Sequence, residues 1–235
     1  MTEKTLLVDC RIYKESENQL INMGYKITKL DNQRFLDTPV SAHPDMLAVK
    51  VKNTWFIDST VNKIFTFAGD VIEFDREVVF GKKLQYPDDV AFNCSVFGNN
   101  LLCNRKFLNK EILNFAEQCG MRVINTNQGY TKCSTCVVSD NAIITEDDDI
   151  YKCCKTAGVD VLKIRKGYVK LPGYDYGFIG GCSGLVEENK LFFNGCIERH
   201  PDYTLIKEFC GNYAVEAVSL CDNDLYDIGS IFTLN

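Results

Sequence analysis

Gly120-Met121-Arg122-Val123-Ile124-Asn125 and Gly158-Val159-Asp160-Val161-Leu162-Lys163-Ile164 carry the same local instruction, a glycine followed by a β-rich run. Ahead of each lie apolar residues at helical spacing. Ile112, Ala116 and Cys119 precede the first, and Ile150, Cys153, Cys154 and Ala157 precede the second at i, i+3, i+4 and i+7. This reads as a helix that stops at a glycine able to adopt the left-handed conformation, then a strand. The same punctuation recurs at Gly24 before Tyr25–Leu30, at Gly69 before Asp70–Phe74, and at Gly211 shortly before Val215–Leu220.

These glycines stand 45, 51, 38 and 53 residues apart, and the stretch from Gly211 through Asn235 and on from Met1 to Gly24 makes up 48 more. Self-similarity at this period indicates a solenoid, a propeller or an array. A solenoid needs capping units, whereas half-units at both ends predict a closed ring.

Each complete unit also shows two strands before its helix. Cys136–Ser139 and Ala142–Thr145 flank Asp140-Asn141, a tight-turn pair, and Phe178–Val186 and Leu191–Phe193 flank Glu187–Lys190. Val90–Phe97 with Leu101–Cys103, and Met46–Val51 with Trp55–Ile57, repeat the arrangement; a helix is expected from Thr60 to Ala68. Ile228–Leu234 is expected to pair with Leu6–Asp9 and leave no open edge. The fold class that follows is α/β, a five-bladed α/β propeller of ββαβ units closed by its two ends. It forms one domain over 1–235, with units near 228–235 plus 1–40, 41–84, 85–128, 129–172 and 173–227.

Composition excludes several function classes. A net charge of −6 and a pI near 5.1 argue against nucleic acid or an anionic membrane surface as partner. No apolar run approaches the roughly 18 residues a membrane span needs. Asp9 interrupts the first apolar run too early for a signal segment, so the chain reads as cytoplasmic. Its 12 cysteines then read as small core hydrophobes rather than disulfides.

A polar cluster precedes every opening strand. These are Ser41-Ala42-His43-Pro44-Asp45, Gln85-Tyr86-Pro87-Asp88-Asp89, Gln128–Cys133, Pro172–Gly177 and Asp224–Asp227. Singly, each is an ordinary solvated turn. Five at one phase of a closed repeat meet at one mouth, where Asp45, Asp89 and Asp227 share a small space. Converging carboxylates raise each other's pKa unless a cation sits among them, and a guanidinium pairs with carboxylates in two-pronged fashion.

His43 stands at that mouth with Asp45 two residues on, placed to orient its ring or hold a cation. His200, at a helix start, is assigned a capping role. Cys133 lies at the matching place two units later, beside Lys132, whose charge favours thiolate. Cys182, in Gly180-Gly181-Cys182-Ser183-Gly184, is the second candidate nucleophile. Cys133 and Cys136 have CxxC spacing, but no second pair accompanies them, so no metal and no cofactor is expected and redox sensing is the least favoured reading. The glycine run lacks the spacing and lysine of a phosphate loop, which excludes nucleotide binding.

His43-Pro44-Asp45-Met46, Tyr86-Pro87-Asp88-Asp89, Gln128-Gly129-Tyr130, Ala142–Thr145 and Tyr176–Gly181 resemble an uncharacterised bacterial family with the pentein fold, the five-fold propeller of guanidino-group-modifying enzymes. The resemblance covers nearly the whole chain. It implies a cysteine nucleophile, a histidine in a His-x-Asp segment matched by His43-Pro44-Asp45, and acidic residues that grip a guanidinium. Catalytic penteins normally carry the cysteine in the last unit, where this chain has Asp227-Ile228-Gly229-Ser230; Cys133 lies two units after the histidine, as theirs does. The expected function is a cysteine-dependent hydrolase or amidinotransferase acting on a small cationic guanidino compound in an axial pocket. Cys133, His43 and Asp45 act in catalysis, with Asp88, Asp89, Asp227, Tyr176 and Cys182 at the substrate. The alternative is a non-catalytic binding or assembly protein, as some penteins are.

Overall fold

The computed structural model describes residues 4–61, 67–75 and 82–234. Its most apolar strands lie at the middle of their sheets, as burial on both faces requires. The strands are Thr5–Asp9 (β1), Lys26–Leu30 (β2), Ala48–Val51 (β3), Thr54–Asp58 (β4), Asp70–Phe74 (β5), Ser95–Phe97 (β6), Asn100–Cys103 (β7), Arg122–Asn125 (β8), Cys136–Ser139 (β9), Ala142–Thr145 (β10), Asp160–Lys163 (β11), Ser183–Glu187 (β12), Lys190–Phe193 (β13), Glu216–Ser219 (β14) and Phe232–Thr233 (β15). They form five three-stranded sheets, ordered β15-β1-β2, β3-β4-β5, β6-β7-β8, β9-β10-β11 and β12-β13-β14. Every residue of β4, β7 and β10 is buried.

In each sheet an inner strand runs antiparallel to the middle strand, and the middle strand runs parallel to an outer one. The parallel step needs a crossover. Helices Lys14–Asn22 (α1), Lys110–Gln118 (α2), Asp148–Thr156 (α3) and Tyr203–Gly211 (α4) supply it in four blades. Part of the helix expected from Thr60 to Ala68 lies outside the described residues. Asn109 caps α2 by accepting from the Glu111 N–H at 2.8 Å, and Asp147 caps α3 by accepting from Asp149 and Ile150. No helix among the described residues is long and apolar enough to cross a membrane.

The ring closes as the half-units predict. Leu6 pairs with Thr233 and Leu7 with Phe232 in the antiparallel register of β1 and β15. Five apolar clusters then join neighbouring blades in turn. Leu7 and Leu30 meet Trp55 and Ile57, Phe56 meets Leu101 and Ile112, and Leu102 meets Ile143 and Cys154. Ile144 meets Phe193 and Cys210, and the last cluster returns to the start with Phe192 and Val186 against Leu6, Val8 and Leu20.

Four punctuating glycines are left-handed, Gly24 (φ 91°), Gly69 (103°), Gly120 (68°) and Gly158 (74°). In the fifth blade α4 runs on to Gly211, and Ala214 takes the left-handed position instead (φ 55°). The opening strands are shorter than expected. Pro44–Met46 and Asp88–Val90 curl into single 3-10 turns, and Phe178–Cys182 forms a turn rather than the start of β12. Cys119 is exposed rather than core, because it is the residue just past the end of α2, where the chain leaves the helical phase of Ile112 and Ala116. Cys10, Cys153, Cys196 and Cys221 are half-buried, and all 12 cysteines are free.

Gly184 tests the closure. A Cβ there would stand 2.3 Å from the Ile231 carbonyl oxygen, backbone of the strap leading into β15. Gly184→Ala is expected to cost about 1–3 kcal/mol through overpacking, read as a lower denaturation midpoint with an unchanged m-value.

Candidate active site

The turns that replace the starts of the opening strands deliver the site. His43 is the residue before the Pro44–Met46 turn, and the Asp45 N–H donates to the Gly229 carbonyl at 3.2 Å, fastening blade two to the strap before β15. Gly229 is left-handed (φ 62°), and a Cβ there would lie 2.2 Å from that of His43. Gly181 is equally constrained: its Cβ would lie 2.0 Å from Asp227 Oδ1. Its N–H donates to the Cys133 carbonyl at 2.8 Å, and its own carbonyl accepts from Ile228 at 3.0 Å and Ser230 at 2.7 Å.

His43, Asp45, Cys133 and Asp227 are brought together and buried. The Cys133 thiol donates to Asp45 Oδ2 at 3.1 Å and accepts from Asn93 Nδ2 at 3.3 Å. The same Asn93 nitrogen lies 3.2 Å from the Asp45 carbonyl, and Asn93 Oδ1 accepts from the Lys132 N–H at 2.7 Å. Ser230 Oγ, 3.1 Å from Asp45 Oδ2 and 2.9 Å from the Gly180 carbonyl, shares that carboxylate oxygen. Asp227 accepts from the backbone N–H of Phe178 at 2.9 Å and of Gly229 at 3.0 Å.

The His43 ring lies between two carboxylates, with Nε2 3.8 Å from Asp9 Oδ2 and Nδ1 3.8 Å from Asp227 Oδ1. These are approaches rather than hydrogen bonds, and among the described residues neither ring nitrogen has a hydrogen-bond partner. Burial, helped by the charge of Arg11, lowers the His43 pKa to about 3, so the imidazole is neutral. Arg11 itself pairs with Asp9, its Nε 2.8 Å from Oδ1. Burial and the neighbouring Asp45 raise Asp227 to about 7. Burial also raises Asp45, against the opposing charge of Lys132. The Cys133 thiol is pushed well up by burial and then by Asp45 and Asp227. This corrects the expectation that Lys132 would favour thiolate. Lys132 Nζ instead donates to Ser230 Oγ at 2.9 Å, and burial together with the charges of Asp45 and Asp227 keeps the sulfur protonated.

Beside these groups opens a cavity of about 230 Å³, into which His43, Cys133 and Asp227 face among the rings of Tyr130, Tyr176 and Phe178. Aromatic faces beside a buried carboxylate suit a cation. His43, Asp45 and Cys133 also bring one nitrogen, oxygen and sulfur donor within 4.8 Å of one another, a set able to hold a metal although no ligand spacing in the sequence announces it.

The other expected residues fall as follows. Tyr176 is a cavity wall. Asp89 is buried one step behind, its Oδ2 accepting from the Tyr130 hydroxyl at 2.9 Å. Asp88 is exposed and does not line the cavity, because the Asp88–Val90 turn points alternate carboxylates in and out. Cys182 packs in the core between blades four and five, its thiol donating to the Ile179 carbonyl at 3.3 Å, away from the cavity. His200 does not cap α4 directly: Asp202 holds the N-cap position, and the His200 Nδ1 accepts from the Asp202 N–H at 3.1 Å in the turn that leads into the helix.

Asp9, Arg11, Asn93 and Ser230 were not among the expected site residues. One signal was available: the residue ending or just following each middle strand is polar and buried, namely Asp9, Asp58, Asn104, Glu146 and Asn194. Three of them, Asp9, Asp58 and Asn104, fold back on the N–H two residues on, at 2.7, 3.0 and 3.1 Å. Glu146 instead accepts from the Ile179 N–H of the next blade at 2.9 Å, and burial raises it to about 8.

Similar architectures occur among solved structures. A cysteine-to-serine mutant of DDAH from Pseudomonas aeruginosa, complexed with citrulline, matches with a TM-score of 0.54 at 9% identity, over 93% of this chain and 92% of that one. A cysteine-to-serine mutant of C. jejuni agmatine deiminase with substrate bound matches at 0.53 and 11% identity, over 98% and 93%. At such identities the likeness establishes the fold, that of the guanidino-modifying propellers. No curated protein matches the sequence. The model of a family of unknown function, DUF6873, matches residues 7–232, and this chain belongs to that family.

Proposed function

We propose that the protein is a thiol-dependent hydrolase of a small guanidino or amidine compound. One observation carries this reading: a thiol, an imidazole and the Asp227 carboxylate face a single aromatic-walled cavity, with a second carboxylate, Asp45, bonded to the thiol behind them. The guanidino-modifying neighbours, one bound to citrulline, are consistent with it.

In the free protein the thiol is neutral. A guanidinium entering beside Asp227 offsets the negative charge that holds the proton on Cys133. The thiol proton then passes by way of Asp45 to His43, whose imidazolium lies between Asp9 and Asp227. The Cys133 thiolate adds to the amidine carbon. His43 returns the proton to the departing nitrogen as the C–N bond breaks, leaving a covalent S-amidino adduct and a neutral imidazole. Water attacks the adduct, loses its proton to His43, and the C–S bond breaks with the proton restored to sulfur. The products are an amine or ammonia and a urea-type compound. An amine in place of water makes the same sequence an amidino transfer.

A binding-only function is the second reading, favoured by the protonated, hydrogen-bonded state of the resting Cys133 thiol. Ammonia and amine release from a panel of guanidino compounds separates the two. Cys133→Ser is expected to lower turnover by at least about 10³-fold while binding persists. Full turnover in that variant would remove the thiol mechanism, and ligand binding by the wild type without turnover would select the binding function.

A pH dependence follows from Asp227. A carboxyl raised to about 7 is half protonated near neutrality, and only its ionised form attracts the cation. Guanidinium affinity is therefore expected to weaken as pH falls through about 7, approaching tenfold per unit below it. Asp227→Asn should bind more weakly and flatten that profile. Calorimetric titration from pH 5.5 to 8.5 checks both.

A further inference from the structure

The inner strands enclose a second cavity, of about 360 Å³, that shares no lining residue with the first. The site residues stand just before the inner strands, and those strands run from them into this second space: β3, β6, β9, β12 and β15 all contribute to its wall. The partition between the two is the chain Lys132 Nζ to Ser230 Oγ to Asp45 Oδ2, at 2.9 and 3.1 Å. Lys132 therefore belongs to the second cavity, while its neighbour Cys133 belongs to the first.

The polar side chains of the lining are two lysines, one indole and three hydroxyls beside a single carboxylate. Two ammonium groups, Lys132 and Lys50, face one carboxylate, Asp140, which is exposed. Among the described residues Lys132 gives one hydrogen bond, to Ser230, and Lys50 lies 5.6 Å from the centre of the Trp55 ring; no carboxylate forms an ion pair with either. Two more lining residues carry buried polar atoms with no hydrogen-bond partner among the described residues, Trp55 Nε1 and Thr233 Oγ1. A half-buried ammonium with unfilled donors disfavours an apolar occupant, whose entry would strip its water without return, and it repels a cation.

We propose that this second cavity binds a small oxyanion, a carboxylate or a phosphate, between the ammonium groups of Lys132 and Lys50. The oxyanion accepts from both lysines, and the indole N–H and hydroxyls of the wall complete its coordination. The proposal stands independently of the amidine chemistry, since it uses none of the groups assigned to that reaction.

The chain has one tryptophan, and it lines this cavity, so the molecule carries its own reporter. The purified protein is titrated with inorganic phosphate and, separately, with acetate, with sodium chloride holding ionic strength constant, while Trp55 emission is followed. A saturable change with phosphate, acetate or both is expected, and none with chloride; which anion responds identifies the chemistry. Lys50→Met and Lys132→Met should each weaken binding by at least about tenfold, as loss of one charge-assisted contact implies. Lys132→Arg should retain it, and Asp227→Asn, at the other cavity, should leave the dissociation constant within about twofold. If Lys132→Met fails to fold, Lys50→Met and Lys132→Arg carry the test. Absence of a saturable response to both anions, or an unchanged dissociation constant in Lys50→Met, overturns the proposal.

Discussion

Everything in this protein depends on a short contact: two residues of β15 paired to β1, with Phe192 and Val186 packed on Leu6, Val8 and Leu20 beneath. A blade of three short strands and one helix cannot bury its apolar surface alone. Each of the five clusters bridges at least two neighbouring blades, so an open ring would leave two blades with one bare face each. Closure also assembles the chemistry. His43 and Asp45 come from blade two, Asn93 from blade three and Cys133 from blade four, and the strap that leads into β15 brings Asp227, Gly229 and Ser230. The site is a consequence of the ring, not an addition to it.

Gathering these residues carries an electrostatic cost that the fold does not remove. Asp9, Asp45 and Asp227 are all buried around one neutral imidazole, and Arg11 compensates Asp9 directly. The pKa shifts express the remainder, and their signs oppose. His43, depressed from 6.5 to about 3, contributes stability that is present above its unfolded value and lost as pH falls through the folded one. Asp227, raised from 3.8 to about 7, contributes stability that is present below its unfolded value and lost as pH rises through the folded one. Near neutrality the site is short of positive charge.

The ring was legible because repetition amplifies weak local signals. One glycine before a β-rich run decides little, whereas five at a near-constant interval decide a topology, even though the fifth turn is made by Ala214 rather than by Gly211. The site was legible where it shared that phase: His43, Asp45, Cys133 and Asp227 all sit in the segments before opening strands. Asp9 belongs to a different phase, the end of a middle strand, where an acid after Leu6-Leu7-Val8 reads as a simple strand stop. Asn93 and Ser230 lie in ordinary turn sequence, and their value comes only from the neighbouring blade. Adjacency along the chain misled in one place. Lys132 and Cys133 are sequence neighbours, but the backbone turn sends them to different cavities, so the sulfur responds to Asp45 instead.

That separation explains why a hydroxyl stands between Lys132 and Asp45. A direct ion pair would lock the Asp45 carboxylate to an ammonium and weaken the hydrogen bond it accepts from the thiol. With Ser230 interposed, Lys132 still favours the ionised carboxylate at a distance while both thiol and hydroxyl reach the same oxygen. The left-handed backbone of Ser230 (φ 75°), uncommon outside glycine, holds that hydroxyl in place, and the N–H bond from Ser230 to Gly181 at 2.7 Å fixes it. The axis is thereby divided into an acidic cavity lined by aromatic rings and a basic one lined by strand residues. Ser230 serves as the divider, and Cys133 is left as the sulfur that faces the acidic cavity.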